Sequence, residues 1–479
     1  MTTLNQTIAL THDLQVYDGI NYRKFNTITE LCDCYKQNKK IVIWCYSMLQ
    51  LYVDVGTEFF DDVLFRTEFG ETPLYVKKDN IEIKNAKEFY KSWSLQEIAK
   101  NKNIPDTDEL TIIYKAIESE RQLCSSISKI PKSIIGYTSR EINDTVYKNY
   151  CFKYLAKSIS EDTHAVLAKC KSGGLSGIDD TFRNQTTIVN GYDFKSFYPW
   201  IMYTQLFPFG KYKLYNNVTI NALSKAELWV ATIKFKKIVP KNIGWLKLRA
   251  NKEVTITNLD FKIIQRDYIY EIDSIPEFIP FTNPRKLPEC LRKLIIEKFK
   301  IKESYPEDSE EYQHAKLFLN CIFGLFCQNR QKYKQDIDCW SAKQRPFVIG
   351  LFTAAYGRYY LWEVMHDKHP IHWDTDGFKT QEVLDFTEFN SQRKIDGVML
   401  GQLLEKETDA KLTVYGNKQY MLDDVLKLVG TDGKLALEYF KGRVPKCGDV
   451  IPPEYTSRHI IKNNQIIKVN YTIGKELSE

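Results

Sequence analysis

Three aspartates at the ends of short apolar segments constrain this chain more than any other feature of its sequence. Asp193 closes an apolar stretch that begins near Asn190, and Pro199, a residue that commonly opens a helix, follows after a turn. Asp374 and Asp376 lie in a second segment, where an Asp-Gly pair between short alternating runs predicts a β-hairpin. The sequence therefore predicts one carboxylate at a strand end and two more on a hairpin.

Carboxylates placed in this way suit hard divalent cations. Mg²⁺ prefers carboxylate and carbonyl oxygen as ligands, and two such ions about 4 Å apart activate a hydroxyl nucleophile and stabilise a phosphate leaving group. A single Asp-x-Asp is weak evidence, because acids beside an Asp-Gly turn usually belong only to the turn. The prediction of a two-ion centre therefore depends on Asp193 meeting Asp374 and Asp376 in the fold.

A helical hairpin is predicted between the two acidic segments. Leu291–Lys302 and Glu310–Phe326 both have helical periodicity, and the intervening Tyr305–Asp308 contains a proline that cannot continue a helix. Two antiparallel neighbouring helices are the expected result.

One face of the second helix carries a cation, an amide and an aromatic ring. Lys316, Asn320 and Phe323 are spaced by four and three residues and so share that face, while Lys302 lies near Lys316 across the hairpin. Such a face is able to contact a triphosphate, a base edge and a base plane together. Taken alone, a surface lysine is more often only a solvated charge.

The remaining pattern indicates a multidomain α/β and α+β protein. The first 165 residues mix strands and helices, residues 212–285 form a strand-rich insertion, and the last sixty residues have short strands with little helical periodicity. The individual predictions are strands at Lys40–Trp44, Leu228–Phe235, Glu253–Ile264 and Gln465–Val469, and helices at Ala86–Ala99 and Arg345–Met365.

The amino-acid composition limits the classes of protein to which this chain can belong. With 43% hydrophobic and 27% charged residues among 479, the chain is expected to fold into several domains, and its formal charge of +6 permits an acidic partner. The 11 cysteines form no CxxC pair, which argues against disulfide frameworks and structural zinc. No apolar run approaches the roughly 20 residues that cross a bilayer, and the N-terminus lacks a signal pattern, so we expect a cytoplasmic protein with no membrane partner.

Four motifs in a fixed order resemble those of family B DNA polymerases. Asp193–Pro199 (DFKSFYP) is similar to motif A, Lys316–Gly324 (KLFLNCIFG) to motif B, Asp374–Gly377 (DTDG) to motif C, and Lys418–Tyr420 (KQY) to the Lys-x-Tyr element. A Gly-Gly pair before motif A, and the insertion that follows motif A, resemble the protein-primed subgroup of bacteriophages and linear plasmids. The resemblance covers roughly residues 170 to 420.

The resemblance implies a right-hand polymerase with an N-terminal exonuclease-type domain of the ribonuclease-H-like class. The implied division is 1–165 exonuclease-like, 166–290 palm with the priming-protein-type insertion at 212–285, 291–330 fingers, 331–420 palm and 421–479 thumb. The implied catalytic residues and metal ligands are Asp193, Phe194 through its carbonyl, Asp374 and Asp376, holding two Mg²⁺ or Mn²⁺ ions. The implied dNTP contacts are Ser196, Phe197, Tyr198 as steric gate, Lys302, Lys316, Asn320 and Phe323. The implied DNA contacts are Gly173, Gly174, Gly324, Phe326, Lys418 and Tyr420.

The N-terminal domain departs from an active exonuclease. Its nearest first element is Asp13-Leu14-Gln15, with one carboxylate where the family has a pair; the second falls near Trp44–Ser47, with none; and Tyr150 occupies the expected aspartate position of the third. Because metal ions need those carboxylates, we predict that this domain does not proofread.

The expected activity is templated addition of dNTPs to the primer 3′-hydroxyl of a primer-template, or to a priming-protein hydroxyl, with single-stranded DNA as a further partner. Two alternatives remain open at this point. One is an untemplated or defence-associated nucleotidyltransferase, and the other is a non-catalytic DNA-binding factor derived from a polymerase.

Overall fold

A computed structural model describes most of the chain, and the chain divides into two compact units. The first unit comprises Met1–Thr138, Tyr305–His314 and Arg458–Val469, and the second comprises Ser139–Ser304, Ala315–Ser457 and Asn470–Glu479. The predicted five-part division is finer than these two units and stays a prediction. The described residues are 8–35, 41–55, 59–65, 73–90, 94–102, 104–105, 108–124, 138, 141–142, 160–209, 212–307, 309–327, 347–393, 395, 397–462 and 465–475.

Strands and helices are numbered in chain order over the described residues. The strands are β1 (Ala9–Leu10), β2 (Gln15–Tyr17), β3 (Tyr22–Lys24), β4 (Ile41–Cys45), β5 (Asp62–Phe65), β6 (Pro73–Lys78), β7 (Ile81–Asn85), β8 (Ser176–Ile178), β9 (Thr186–Phe194), β10 (Leu206–Pro208), β11 (Tyr215–Asn216), β12 (Leu228–Pro240), β13 (Glu253–Thr257), β14 (Tyr268–Phe281), β15 (Pro284–Lys286), β16 (His372–Asp374), β17 (Gly377–Thr380), β18 (Leu403–Gly416), β19 (Gln419–Leu422), β20 (Val425–Lys427), β21 (Val450–Ile451), β22 (His459–Lys462), β23 (Gln465–Lys468) and β24 (Tyr471–Thr472). The helices are α1 (Ile28–Tyr35), α2 (Met48–Val55), α3 (Ala86–Phe89), α4 (Leu95–Asn101), α5 (Glu109–Cys124), α6 (Glu161–Lys169), α7 (Phe197–Thr204), α8 (Asn258–Asp267), α9 (Glu289–Ser304), α10 (Glu310–Phe326), α11 (Phe347–Met365), α12 (Thr387–Ser391) and α13 (Gly433–Phe440).

The first unit contains a seven-stranded sheet in the order β3-β2-β1-β4-β7-β6-β5. Its centre is parallel, because β4 pairs in parallel with both β1 and β7. Every residue of Ile41–Cys45 is buried, which is typical of a strand covered on both faces. Ile43 packs in one core with Met48 and Leu51 of α2. The predicted α/β character and the predicted strand near Lys40–Trp44 are confirmed.

The second unit is organised around an antiparallel seven-stranded sheet in the order β20-β19-β18-β9-β17-β16-β8. β9 lies at its centre, paired with β17 on one side and β18 on the other. A separate four-stranded antiparallel sheet has the order β11-β14-β12-β13 and lies in the predicted insertion. The chain segments that carry the three predicted acids therefore belong to one sheet.

The helices are predicted correctly where the helical spacing of apolar residues continues over many residues. The hairpin of α9 and α10 and the long helix α11 are present as expected, and α11 is buried along most of its length. The prediction of a strand through Glu253–Ile264 is half wrong, because the strand ends at Thr257 and α8 begins. Thr257 and Asp260 form a capping box that starts this helix, a signal that the alternation of apolar residues concealed.

The C-terminal segment also contains a helix that the sequence reading missed. α13 follows Asp432, whose side chain accepts a hydrogen bond from the backbone N–H of Lys434. Ala86–Ala99, predicted as one helix, contributes to α3 and α4 instead. Within the described ranges, no helix combines the length and the apolar character that crossing a membrane requires.

A buried ion pair joins α11 to α8. Arg358 donates from Nε to Asp260 Oδ1 at 2.7 Å and from Nη2 to Asp260 Oδ2 at 2.8 Å, with side-chain exposures of 5% and 4%. The same carboxylate also accepts from the backbone N–H and the hydroxyl of Thr257. One side chain therefore both caps α8 and binds the long central helix.

We expect Asp260→Ala to lower the free energy of unfolding by about 3–5 kcal/mol, because it leaves the Arg358 charge buried without its partner. Urea unfolding followed by tryptophan fluorescence measures this change. Lys293→Ala is the control, since Lys293 pairs with Glu289 on the exposed surface of α9 and its loss should leave the transition unchanged. Equal transitions for the two variants would contradict the assigned role of Asp260.

Candidate active site

Asp193 lies at the end of the central strand of the large sheet. It stands opposite Gly377 of β17 and opposite Leu404 of β18. Burial raises the pKa of Asp193 to about 6, although the positive charges of Lys406 and Lys379 act in the opposite direction. The carboxylate is therefore held in a partly desolvated position at the strand end.

Asp374 and Asp376 lie on the predicted hairpin. Asp374 ends β16 opposite Gly377, and the tight turn brings the Asp376 N–H within 2.6 Å of the Asp374 carbonyl oxygen. The Asp376 carbonyl in turn accepts a hydrogen bond from the backbone N–H of Phe194 at 2.8 Å. Burial raises the pKa of Asp376 to about 7, and the negative charges of Asp193 and Asp374 contribute to the increase. The hairpin thus places Asp374 and Asp376 beside the strand end that carries Asp193.

Lys418 approaches this acidic group from the turn between β18 and β19. Its Nζ lies 2.9 Å from Asp374 Oδ1, which also accepts a hydrogen bond from the Thr375 hydroxyl at 2.9 Å. No three acidic, imidazole or thiol side chains in the described part of the chain are gathered closely enough to chelate one ion.

The donor set nevertheless fits Mg²⁺ or Mn²⁺. Three carboxylates and the backbone carbonyl of Phe194 are hard oxygen donors of the kind these ions prefer. Burial and, after it, repulsion from Asp193 and Asp374 raise the pKa of Asp376, and a divalent cation would relieve that repulsion.

A glycine loop lies directly against the acidic hairpin. The N–H of Thr375 donates to the carbonyl of Leu175 at 2.7 Å, and a Cβ at Gly174 would lie 2.9 Å from the side chain of Thr375. Arg358 Nη1 donates to the Gly173 carbonyl at 2.8 Å and so anchors the loop from behind. The predicted Gly173-Gly174 pair therefore supports the residue between Asp374 and Asp376.

Tyr198 and Phe323 form one wall beside the acids. Their rings stack with centroids 4.2 Å apart and an interplanar angle of 22°. Gly357 of α11 leaves space for the tyrosine, since a Cβ there would lie 2.8 Å from Tyr198 Cε1. Asn320, one helical turn before Phe323, is exposed on the same helix. The two rings thus form a stacked pair beside the acids, and a contact of Asn320 with a nucleotide stays a prediction.

Lysines gather at the start of α7. Lys302 Nζ lies 3.4 Å from the hydroxyl of Ser196, the residue before α7, which has a φ of 52°. Burial lowers the pKa of Lys302, and the positive charges of Lys195 and Lys316 lower it further, while Glu303 acts in the opposite direction. The neighbourhood of the acids therefore includes a cationic group suited to phosphate.

Comparison with known proteins identifies this architecture. No protein-family model matches the sequence, and no curated protein matches it. Among solved structures, Phi29 DNA polymerase with single-stranded DNA matches at a TM-score of 0.73 and 14% identity, covering 98% of each chain. The same polymerase with primer-template DNA and incoming nucleotides matches at a TM-score of 0.72 and 15% identity, again over 98% of each chain.

The chain has the fold of Phi29 DNA polymerase. That fold consists of palm, fingers and thumb with an exonuclease domain, so the predicted fold class is confirmed. Phi29 DNA polymerase is a protein-primed polymerase of family B, the group that the four motifs resemble.

Some predicted contact residues occupy other surroundings in this Phi29-like fold. Phe326 is 1% exposed, so the prediction that it contacts DNA is wrong for its side chain, which packs in the core. Phe197 is also buried and stacks on Phe194, which leaves only its backbone to face a ligand. Tyr420 is largely buried, with its ring 4.6 Å from that of His372. Gly324 is exposed, with open space around its Cα.

Two carboxylates of the first unit lie at the first two predicted exonuclease elements, because Asp13 belongs to one and Glu109 contacts Ser47 of the other. Asp13 accepts hydrogen bonds from Thr11, Gln15 and Lys24, and these bonds, that of Thr11 foremost, lower its pKa to about 2. Glu109, at the start of α5, is not predicted as a site residue from the sequence, because no motif surrounds it. It accepts from Ser47 at 3.3 Å, and burial raises its pKa. Tyr147–Tyr150, the predicted third element, lies outside the described residues.

Replacement of Gly174 by alanine tests the contact between the glycine loop and the hairpin. We expect Gly174→Ala to lower the free energy of unfolding by about 1–3 kcal/mol, because the added methyl group would overlap Thr375. Gly173→Ala is a matched control, since a Cβ at Gly173 has no atom within 4 Å. Thermal and urea unfolding measure both variants. A Gly174→Ala protein as stable as Gly173→Ala would show that the loop does not press on the hairpin.

Proposed function

We propose that this chain is a DNA-directed DNA polymerase of the protein-primed family B type. It adds dNTPs to a primer 3′-hydroxyl or to the hydroxyl of a priming protein. The observation that carries the proposal is the proximity of Asp193, at the end of β9, to Asp374 and Asp376, at the turn between β16 and β17, in a polymerase-like fold. Acidic side chains from distant segments come together in this way in sites that bind divalent cations and transfer phosphoryl groups.

The roles follow from position. Asp193 and Asp376, with the Phe194 carbonyl, would hold the ions. Asp374 would be a further ligand, and Lys418 lies beside it. Two bound Mg²⁺ or Mn²⁺ ions would supply charge stabilisation for phosphoryl transfer. Lys302 and Lys316 bind and orient the triphosphate through charge-assisted hydrogen bonds.

The wall beside the acids serves nucleotide selection in this proposal. Tyr198 crowds a ribose 2′-hydroxyl, and its ring is held in place by Phe323. Asn320 and Gly324 lie near the nascent base pair. Lys418 binds the primer end, and Tyr420, which packs against His372, belongs to the same element.

The partners proposed are primer-template DNA, single-stranded DNA and dNTPs, with a priming protein as an additional one. Phi29 DNA polymerase has been captured with the first three. A positive formal charge of +6 and the lysines near Ser196 suit such acidic partners. The division into exonuclease-like domain, palm, fingers and thumb belongs to the same proposal. In it, the insertion at 212–285 contacts the priming protein.

Absence of proofreading is the second part of the proposal. Asp13 is engaged by three hydrogen bonds, and the second element, Trp44–Ser47, has no acid. Two-metal hydrolysis needs several carboxylates that converge. Around these two elements the described residues provide Asp13 and Glu109, and two carboxylates are too few for that chemistry.

Primer extension on a defined template tests the polymerase assignment. We expect synthesis that follows the template, excludes ribonucleotides and falls by about 10²- to 10³-fold or more in Asp376→Asn, because a ligand for transition-state charge stabilisation is lost. Asp273→Asn is the control, since Asp273 lies in an exposed ion pair with Lys234 on the other sheet. Product indifferent to the template would favour an untemplated transferase, and undiminished synthesis by Asp376→Asn would remove the assignment.

A labelled single-stranded oligonucleotide tests the exonuclease assignment. We expect no shortening from the 3′ end with Mg²⁺ or Mn²⁺, in parallel with a proofreading polymerase as the positive reference. If shortening occurs and disappears in Asp13→Ala or Glu109→Ala, the first unit is an active nuclease and the proposal of a non-proofreading enzyme is wrong.

A further inference from the structure

An ion pair links the loop after Asp193 to the end of α9. Lys195 Nζ pairs with a carboxylate oxygen of Glu303, and the two side chains are 26% and 37% exposed. The backbone of Lys195 is fixed, because its N–H donates to the Gln402 carbonyl at 2.7 Å and its carbonyl accepts from Gly401 at 2.9 Å. The lysine thus projects from a rigid position two residues beyond the first acid.

The ammonium groups of Lys195 and Lys302 share one aromatic ring and one neighbouring acid. Lys195 Nζ lies 5.6 Å from the ring centroid of Phe299, and Lys302 Nζ lies 5.9 Å from it. Lys302 also contacts the Ser196 hydroxyl. Glu303 pairs with Lys195 and acts electrostatically on Lys302, so one carboxylate faces two cations. This local excess of positive charge suits a ligand with several negative charges.

We infer that Lys195 is a further ligand of the incoming triphosphate, and that Glu303 is its counter-ion until the nucleotide binds. This inference rests on the proposed function. A phosphate oxygen would take the place of the Glu303 carboxylate at the Lys195 ammonium, exchanging one charge-assisted contact for another. The position is not one of the phosphate contacts that the motifs imply.

If the ion pair had only a structural role, the opposite change in nucleotide affinity would be expected on replacing Glu303. If the pair only fastened α9 to the loop, loss of either partner would loosen the same contact, and both variants would bind nucleotide more weakly. If Lys195 binds phosphate, removal of the competing carboxylate frees the lysine and removes a charge that repels the triphosphate. The two partners of one ion pair should then change nucleotide affinity in opposite directions.

Single-nucleotide incorporation on a primed template separates these outcomes. We expect Lys195→Met to raise KM for dNTP about tenfold, the loss of one charge-assisted hydrogen bond, with kcat within about twofold. Lys195→Arg should stay within about threefold of the natural protein, and Glu303→Gln should show an equal or lower KM. Lys293→Met, which removes the exposed ion pair at the start of the same helix, should change neither constant.

A binding measurement keeps this result apart from the polymerase assignment. The rise in melting temperature caused by dATP, or by inorganic tripolyphosphate, reports triphosphate binding whether or not synthesis occurs. Failure of synthesis with intact binding would reject the proposed function alone. A KM or binding defect shared by Lys195→Met and Glu303→Gln, no defect in Lys195→Met, or no triphosphate binding by the natural protein would overturn the inference.

Discussion

The antiparallel register of β9 with β17 decides where the acids of this chain meet. Asp193 stands opposite Gly377, the residue directly after Asp376. Since side chains alternate along a strand, a slip of one residue would turn Asp193 to the other face of the sheet. Gly377 also makes the close approach feasible, because a Cβ there would lie 2.8 Å from Asp193 Oδ1. The position of the candidate site is therefore set by strand pairing, and the side chains then supply its chemistry.

Local signals were sufficient for the elements that carry the predicted site. The Asp-Gly turn predicted the hairpin, and the proline between two periodic segments predicted the separation of α9 from α10. These signals lie within a few residues of the features they specify. The contact between Asp193 and the hairpin acids is long-range, and only the resemblance of ordered motifs to a known family anticipated it.

Tertiary partners explain most of what the sequence did not predict. Asp260 looks like an ordinary helix cap, and its role depends on Arg358, which follows almost a hundred residues later and also binds the Gly173 carbonyl. Arg358 thereby connects the segment that contains Asp260 to the glycine loop beside Thr375. Phe326 shows the converse error, since the resemblance implied a DNA contact just after motif B while its ring is buried in the core. A pattern in one segment does not reveal which neighbour will cover it.

The charged side chains around Asp193 do not fully balance the negative charge of the three aspartates, so a bound divalent cation is expected in the proposed reaction. Lys379 Nζ and Glu407 Oε2 pair at 2.9 Å across Gly191, where a Cβ would lie only 1.7 Å from the carboxylate. Gly191 and Asp193 point to the same face, so this ion pair is a neighbour of the first acid. Its lysine lowers the pKa of Asp193, its glutamate raises it, and burial outweighs both, leaving the value near 6. Because Lys379 is already paired with Glu407, it compensates the repulsion among the three aspartates only in part. In the proposed reaction, strand register therefore brings the acids together, and a divalent ion would neutralise the negative charge that the sheet leaves uncompensated.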